Sequence, residues 1–540
     1  MNIESPGNID PELLSKLQRI TSLAALNKKG KLICKIAGKQ LLVLQTASGV
    51  YVCNNRCPHE GFPLSEGTLN EGCVLTCNWH NWKFDLETGE TLIGGDSLRV
   101  YPVTLRNGEI WCDLTDPPPE RARSRVFLGL EQALAENDYE RLAREVTRYR
   151  ISGGDPLDLI RFAFGWAHEK FQYGITHAHA AAADWLMVYD GLLGTDDPDT
   201  LIPVVEILGH IAWDCKRDAG QWEFTQNCET DFSAIALENA IEEEDENAAV
   251  AQVRAAIKTG KETDLQLALA RVSLRHYQSF GHSPIYVDKV HELVARFGSC
   301  ATDIFVLPLV RSFCFGRRED LIPEFRAYGV RLATWNGRGS VVPAAETFRH
   351  AGVPRALALI SDAAGELDAL DDVLMEAIAG AMLYFDGNLQ NAVDQPVSNN
   401  VDWLDFSHAL THLQSARKLA EVQPDLKPNA YLQCGCFLGR NSRFVNWNQN
   451  MDRWKVSDSE EFFRNAFYKI LDHGEPFYIY PAHYLKFTCA VQQEVRLKPT
   501  ASWVPTLLAA CNRFLNEPIK RKHVRRTIMQ SRAFVEAQGF

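Results

Sequence analysis

Two short segments constrain this 540-residue chain more than anything else in it: Cys57-Pro58-His59-Glu60-Gly61 and Cys77-Asn78-Trp79-His80-Asn81-Trp82-Lys83-Phe84. Each sets one thiol beside one imidazole, so each suits a turn that aims both side chains at one point. Two such turns on a β framework supply two thiolates and two imidazoles. That set can hold two irons, sulfur on one and nitrogen on the other, or a single tetrahedral zinc. The spacing weighs against zinc, because a zinc finger usually presents Cys-x(2–4)-Cys and then His-x(3–5)-His.

The rest of the chain divides around this pair. Six of the 14 cysteines, Cys34, Cys53, Cys57, Cys73, Cys77 and Cys112, lie before residue 116, whereas only His59 and His80 of the 15 histidines do. The two parts are therefore expected to do different chemistry. Leu32–Ala37, Leu41–Gln45 and Tyr51–Cys53 are β-rich, and Arg99–Arg106 and Glu109–Leu114 flank Asn107-Gly108, the dipeptide suited to a type I′ hairpin. Residues 18–115 read as a small antiparallel β-domain behind an N-terminal extension, 1–17. The Pro-rich, charged stretch 116–124 reads as a linker. Beyond it the period becomes helical, as in Leu130, Leu134, Leu142 and Val146 and again in Leu367, Leu370, Leu374 and Ile378. Residues 125–540 are expected to form a large, mainly α-helical domain, with Ser407 capping a helix before His408 and Glu242–Glu246 solvated at a helix start or loop.

The bulk numbers remove other classes. With 46% hydrophobic residues the chain can bury large cores, and its formal charge of -13 argues against nucleic acid or an anionic membrane as the main partner. No apolar run approaches the ~20 residues of a spanning helix. The first residues carry no signal pattern, so the expected location is the cytoplasm. No Gly-x-Gly-x-x-Gly follows a strand, and no phosphate loop or Gly-x-Ser-x-Gly elbow is present.

The two Cys/His segments strongly resemble the Rieske family, including its flanks: Pro58 and Gly61 on the first loop, then Trp82, Phe84, Asp85, Thr88 and Gly89 after the second. The resemblance covers 18–115 and implies one [2Fe–2S] cluster per chain, with Cys57 and Cys77 on one iron and His59 and His80 on the other. Loop cysteines of the respiratory, disulfide-braced subtype are missing. Cys53 and Cys73, four residues before each ligand Cys, read as buried strand thiols, with a substitute brace as the alternative. No Ser follows His80 to raise the potential, so the low end of the Rieske range, about -150 mV, is expected. That is the ferredoxin or oxygenase subtype. Asn78 and Asn81 stand where the family commonly has Pro and Gly.

A mononuclear iron of the standard oxygenase is not expected. The nearest match to its Asp-x-x-His-x(4–5)-His signature, Asp405, His408 and His412, lies some 330 residues downstream, has a short His–His gap and reads as helix. Helices can still build a site where several inward faces converge. The candidates are His168, His177-Ala178-His179, His210 with Asp214, His276, His282 and His291, His408 with His412, and His483. His177, His210, His282 and His408 are taken as the catalytic candidates around a second metal such as iron. The islands Gly174–His179, Phe280–Pro284 and Ser407–Thr411, with His483, also resemble in type and order the His-bearing helices of questin-oxidase-like proteins. That family contains enzymes of ring-opening or Baeyer–Villiger-type oxidation in aromatic polyketide pathways, so the resemblance implies an oxidative function without supplying a substrate. Asp184 and Trp185 depart from the small apolar residues expected beside the first island.

The reading is an O₂-dependent, monooxygenase-like oxidation of a small organic substrate, with electrons from a separate ferredoxin or NAD(P)H-dependent reductase and a homo-oligomer as the expected assembly. The alternative is a non-catalytic redox module whose helical part docks a partner protein. Cys434-Gly435-Cys436 reads as two buried thiols, and Lys520–Arg526 as a solvated basic helix face or a docking patch for an acidic donor.

Overall fold

The structure is a computed structural model that describes residues 15–70, 72–194, 198–217, 220–227 and 230–539. Most of the expected extension 1–17 lies outside the described residues, and Leu17 already belongs to a strand. The chain forms two compact units, Met1–Asp155 and Pro156–Phe540. Among the described residues, no helix is long and apolar enough to cross a membrane.

Among the described residues, the first unit holds three antiparallel sheets. Strands β1 (Leu17–Ser22), β11 (Glu109–Asp113) and β10 (Val103–Arg106) form one; β2 (Lys31–Ile36), β3 (Lys39–Thr46), β4 (Gly49–Asn54) and β9 (Val100–Tyr101) form the second. The third is β5 (Thr68–Leu69), β6 (Val74–Thr76), β7 (Lys83–Asp85) and β8 (Thr91–Ile93). Alternation explains why the middle of β3, Leu41–Leu44, is apolar on both faces: Leu41 and Val43 face one core, while Leu42 and Leu44 face another that includes Cys53, Cys57, Cys73 and Cys77. The expected hairpin forms, with Asn107 and Gly108 both at positive φ. Helix α1 (Leu23–Lys29), capped by Ser22, was not expected from the strand-like composition.

Two further helices, α2 (Pro119–Glu136) and α3 (Tyr139–Ile151), also belong to this unit. The stretch read as a linker is therefore helical from Pro119, which sits in the first turn where a missing N–H costs nothing. The division between units falls after Asp155, not at 116–124. Arg144 and Arg148 of α3 both hold Asp96 of the β part, with Arg144 Nε 3.2 Å from Asp96 Oδ2, which ties these helices to the strands.

The second unit is helical, as expected from residue 125 onward. Four helices matter most: α4 (His177–Leu192), α5 (His282–Phe297), α6 (Trp403–Val422) and α7 (Ile479–Leu497). Their contacts advance in the same sense. His177 meets His282 and, seven residues on in both, Asp184 meets Lys289; His282 meets His408, then Asp288 meets Ser415. His408 meets His483, then Gln414 meets Gln493, and Gln493 reaches back to Met187. The four helices are thus parallel and closed into a ring. Asp402, not Ser407, caps α6; Ser407 lies inside the helix and donates to the Leu404 carbonyl. The acidic run Glu242–Glu246 ends one helix and starts the next, with Glu244 at positive φ and Asp245 as the cap.

Candidate functional site

The two ligand turns of the first unit have matching backbones. Cys57 N–H donates to Phe62 O (2.9 Å) and Gly61 N–H to Cys57 O (2.8 Å); Cys77 N–H donates to Trp82 O (2.8 Å) and Asn81 N–H to Cys77 O (2.9 Å). Gly61 and Asn81 occupy the same left-handed position, with φ 78° and 60°. Asn is one of the few residues with a side chain that visits this region readily, which explains how it stands where Gly is common. The turns bring His59 Nδ1 and His80 Nδ1 within 3.2 Å of each other.

The rings are held from behind. His59 stacks on Trp82 at 4.6 Å, and Phe62 stacks on Trp79 at 4.1 Å. Cys57 and Cys77 are buried, whereas the imidazoles reach solvent. Burial pushes the Cys57 thiol up to about 11, while the backbone N–H groups of His59 and Glu60 oppose that by favouring the thiolate. Two buried sulfurs inside and two converging nitrogens outside fit an asymmetric two-iron centre. Cys53 and Cys73 are free, buried thiols; the Cys73 Sγ lies 2.6 Å from Ser48 Oγ, so the bracing alternative is not realised.

Residues 17–96 match the model of the Rieske [2Fe-2S] domain. Over 71 residues the chain is 37% identical to the 3-phenylpropionate/cinnamic acid dioxygenase ferredoxin subunit of Escherichia coli K12, covering 13% of this chain and 67% of that one. The chain belongs to the Rieske [2Fe–2S] family. Over 92 residues it is 35% identical to the 4beta-methylsterol monooxygenase of Methylococcus capsulatus, covering 15% of this chain but only a quarter (25%) of that relative. Among solved structures, the ferredoxin of carbazole 1,9a-dioxygenase from Nocardioides aromaticivorans matches at 23% identity and a TM-score of 0.18, over 18% of this chain and 99% of that one. The Rieske domain implies a [2Fe–2S] cluster.

Outside the Rieske domain, the helical unit brings together His177, His282, His408 and His483, with one ligand atom of each within 4.8 Å of the others. The Nε2 atoms are separated by 3.2 Å (His177–His282), 2.8 Å (His282–His408) and 3.2 Å (His408–His483). Nitrogens bound at about 2.1 Å to one ion lie about 3.0–3.4 Å apart, so the spacing fits a metal. The opposite nitrogens settle the tautomers. His282 Nδ1–H donates to Ser279 O (2.6 Å), His408 Nδ1–H to Leu404 O (2.5 Å) and His483 Nδ1–H to Ile479 O (2.7 Å). A carbonyl only accepts, so these rings carry their proton on Nδ1 and aim the Nε2 lone pair inward.

Local backbone explains the two glycine-bearing islands. Ser279, Phe280 and Gly281 are all at positive φ, a costly turn that points the Ser279 carbonyl at His282. A Cβ on Gly281 would fall 2.5 Å from the Phe437 ring, and one on Gly174 2.1 Å from the Pro308 carbonyl. Electrostatics favour neutral imidazoles: burial lowers His282 to about 3, and His177, His408 and His483 lie well below their usual range for the same reason, reinforced by neighbouring rings and by Lys486.

The other sequence candidates go elsewhere. His210 does not join the group: its Nε2 lies 3.6 Å from Asp214 Oδ2 and its ring stacks on Tyr478. His179 completes the cap of α4 from Thr176, and His412 Nδ1–H donates to the Gly281 carbonyl. Asp405 belongs to the cap of α6, where burial and Asp402 raise it to about 7, so no His₂–carboxylate triad forms there. His276 is held between Glu242 and Asp320, and His168 donates to the Gly165 carbonyl. Cys434 and Cys436 are buried and free. Of the basic run, Arg521 pairs with Glu475 and Arg526 is buried. Sequence reasoning listed His483 as a candidate but put His210 in its place among the four, and gave Lys486 no role. The available signal was their i, i+3 spacing in an apolar stretch, which puts both on one helix face.

Proposed function

We propose that this chain is a Rieske oxidoreductase in which a low-potential cluster on Cys57, Cys77, His59 and His80 supplies electrons to a metal, read as iron, on His177, His282, His408 and His483. The reaction class is an O₂-dependent, monooxygenase-like oxidation: R–H + O₂ + 2e⁻ + 2H⁺ → R–OH + H₂O. The electrons come one at a time from a separate ferredoxin or NAD(P)H-dependent reductase, and R–H is a small organic molecule. The convergence of four imidazole nitrogens carries this reading. It argues against a purely docking role for the helical unit, since three of the four rings carry their proton on Nδ1 and turn an Nε2 lone pair toward the shared centre. Imidazole sets suit iron, zinc, copper or nickel, and the Rieske partner favours the redox-active choices.

When bound, the metal would supply one-electron chemistry toward O₂. The chain's own part is to fix three of the four donors through the carbonyls of Ser279, Leu404 and Ile479, to enclose the set in a ring of helices and to hold Lys486 on the same helix as His483. Iron analysis and EPR of the reduced protein test the reading. Three irons per chain, falling to two in His282→Ala with an unchanged cluster signal, are expected; two irons in both would overturn it.

A further inference from the structure

Three of the four imidazoles in the helical unit are anchored by a backbone carbonyl; among the described residues, the fourth is not. The difference follows from where each ring stands on its helix. His408 and His483 lie inside α6 and α7, so the carbonyls four residues earlier, Leu404 and Ile479, accept from Nδ1 at 2.5 and 2.7 Å. His282 opens α5, and the positive-φ run Ser279–Gly281 brings the Ser279 carbonyl to its Nδ1 at 2.6 Å.

His177 also opens its helix, α4, but has no such device. Tyr173, four residues earlier, lies outside the helix and beyond Gly174, whose φ is 81°. The Ile175 N–H between them is spent on the Pro308 carbonyl at 2.9 Å. What faces His177 Nδ1 is the hydroxyl of Tyr286, at 3.5 Å. Tyr286 stands one turn after His282 on α5 and is buried; its ring centroid lies 6.1 Å from that of His177 and 5.4 Å from that of His282.

A hydroxyl at that distance is a looser anchor than a carbonyl in two respects. The contact is at the long limit of a hydrogen bond, well beyond the other three. A carbonyl only accepts, which locks the proton on Nδ1, whereas a hydroxyl accepts or donates. When Tyr286 accepts from Nδ1–H, His177 turns an Nε2 lone pair toward the other rings. When it donates to Nδ1, the proton sits on Nε2 and that nitrogen cannot ligate. His177 is also half-buried, whereas His408 and His483 are buried.

We propose that His282, His408 and His483 hold the metal, and that His177, positioned by Tyr286, is the exchangeable member that gives way to a small incoming ligand. The inference rests on the proposed function and names the side of that site on which the ligand arrives. Catalytic zinc sites show the same division, with three fixed protein ligands and one open position.

The test uses the full chain with its cluster oxidised, loaded with cobalt(II) as the probe metal and titrated with azide as the probe ligand. Low-temperature EPR reads the cobalt, because the two coupled ferric ions of an oxidised cluster give no signal. Competition with a chelator gives the cobalt affinity. His282→Ala and His483→Ala should each weaken cobalt binding by about 100-fold or more, and His177→Ala by about 10-fold at most. His177→Ala should also bind azide more tightly than the wild type. Tyr286→Phe keeps the ring and covers the case in which His177→Ala does not fold. It should tighten azide binding about threefold, the low end for one lost hydrogen bond, with an unchanged thermal midpoint, and should add nothing in the His177→Ala background. Cobalt affinity falling as far in His177→Ala as in His282→Ala overturns the inference. An azide affinity that Tyr286→Phe leaves unchanged, or changes equally without His177, overturns the role of Tyr286. If the wild type binds cobalt no better than His282→Ala does, the proposed function itself fails.

Discussion

The ligands of the Rieske centre stand on two neighbouring turns between Cys57 and His80, half open to solvent, whereas the second set spans His177 to His483 and is enclosed by a ring of helices. In the first, loop backbone does the orienting, through paired N–H···O bonds that repeat from one turn to the other. In the second, rigid helices bring the rings together, and three are oriented by carbonyls of their own helix or of the turn before it. Exposed imidazoles suit electron exchange. Neutral, anchored rings, two of them buried and two half-buried, suit chemistry that must limit the access of water.

The largest effects separate the two centres outright. Cys77→Ser is expected to abolish the mixed-ligand EPR signal and remove both cluster irons while leaving metal at the four histidines. His282→Ala should do the reverse, because its Nε2 touches two of the other three; loss of about 100-fold or more in metal affinity is expected. If either variant empties both sites, the two centres are not independent and the contrast drawn above is wrong. His210→Ala should leave metal content unchanged, since its nearest charged partner is Asp214.

That contrast also governs what could be read from the chain. The Rieske ligands lie close together in the chain, so spacing and flanking residues specify them, and the Asn107-Gly108 hairpin set the pairing of its two strands by local chemistry alone. The helical site has no such local code. His177, His282 and His408 were recognisable as candidates, but His210 has the same helical spacing to an acid and could be told from His483 only by which helix faces meet. Ser407 misled because a hydroxyl residue just before a His reads as a cap, when the cap lay at Asp402. The boundary at Asp155 was hidden because Pro117–Pro119 reads as a stiff linker when its last member begins a helix.

A smaller effect comes from buried histidines that are not ligands. Burial holds His412 and His291 at about 4. In the unfolded chain each titrates near 6.5, so below that pH the unfolded state binds more protons and is favoured. Their contribution is complete above pH 6.5 and is lost progressively as pH falls toward 4, of the order of 3 kcal/mol each. The urea midpoint of the helical unit should therefore drop between pH 7 and pH 5, and His412→Asn should flatten the drop. A midpoint constant across that range would show that these rings are not neutral in the fold.

The smallest effect probes the loop that replaces Gly with Asn. Asn81 holds φ 60° at the position where Gly61 holds 78° in the matching turn. Because its N–H closes the turn on the Cys77 carbonyl, strain at Asn81 bears on a ligand residue directly. A Cβ without a polar end costs about 1–2 kcal/mol in this region, so Asn81→Ala should lower the thermal midpoint of cluster loss by a few degrees. Asn81→Gly should match or slightly exceed the wild type, since glycine adopts that conformation freely. Both should keep the cluster spectrum, because the ligands are untouched. Equal midpoints for Ala and Gly would mean that the turn relaxes on substitution, and that the pairing of the two loops, more than the conformation of either one, holds His80 against His59.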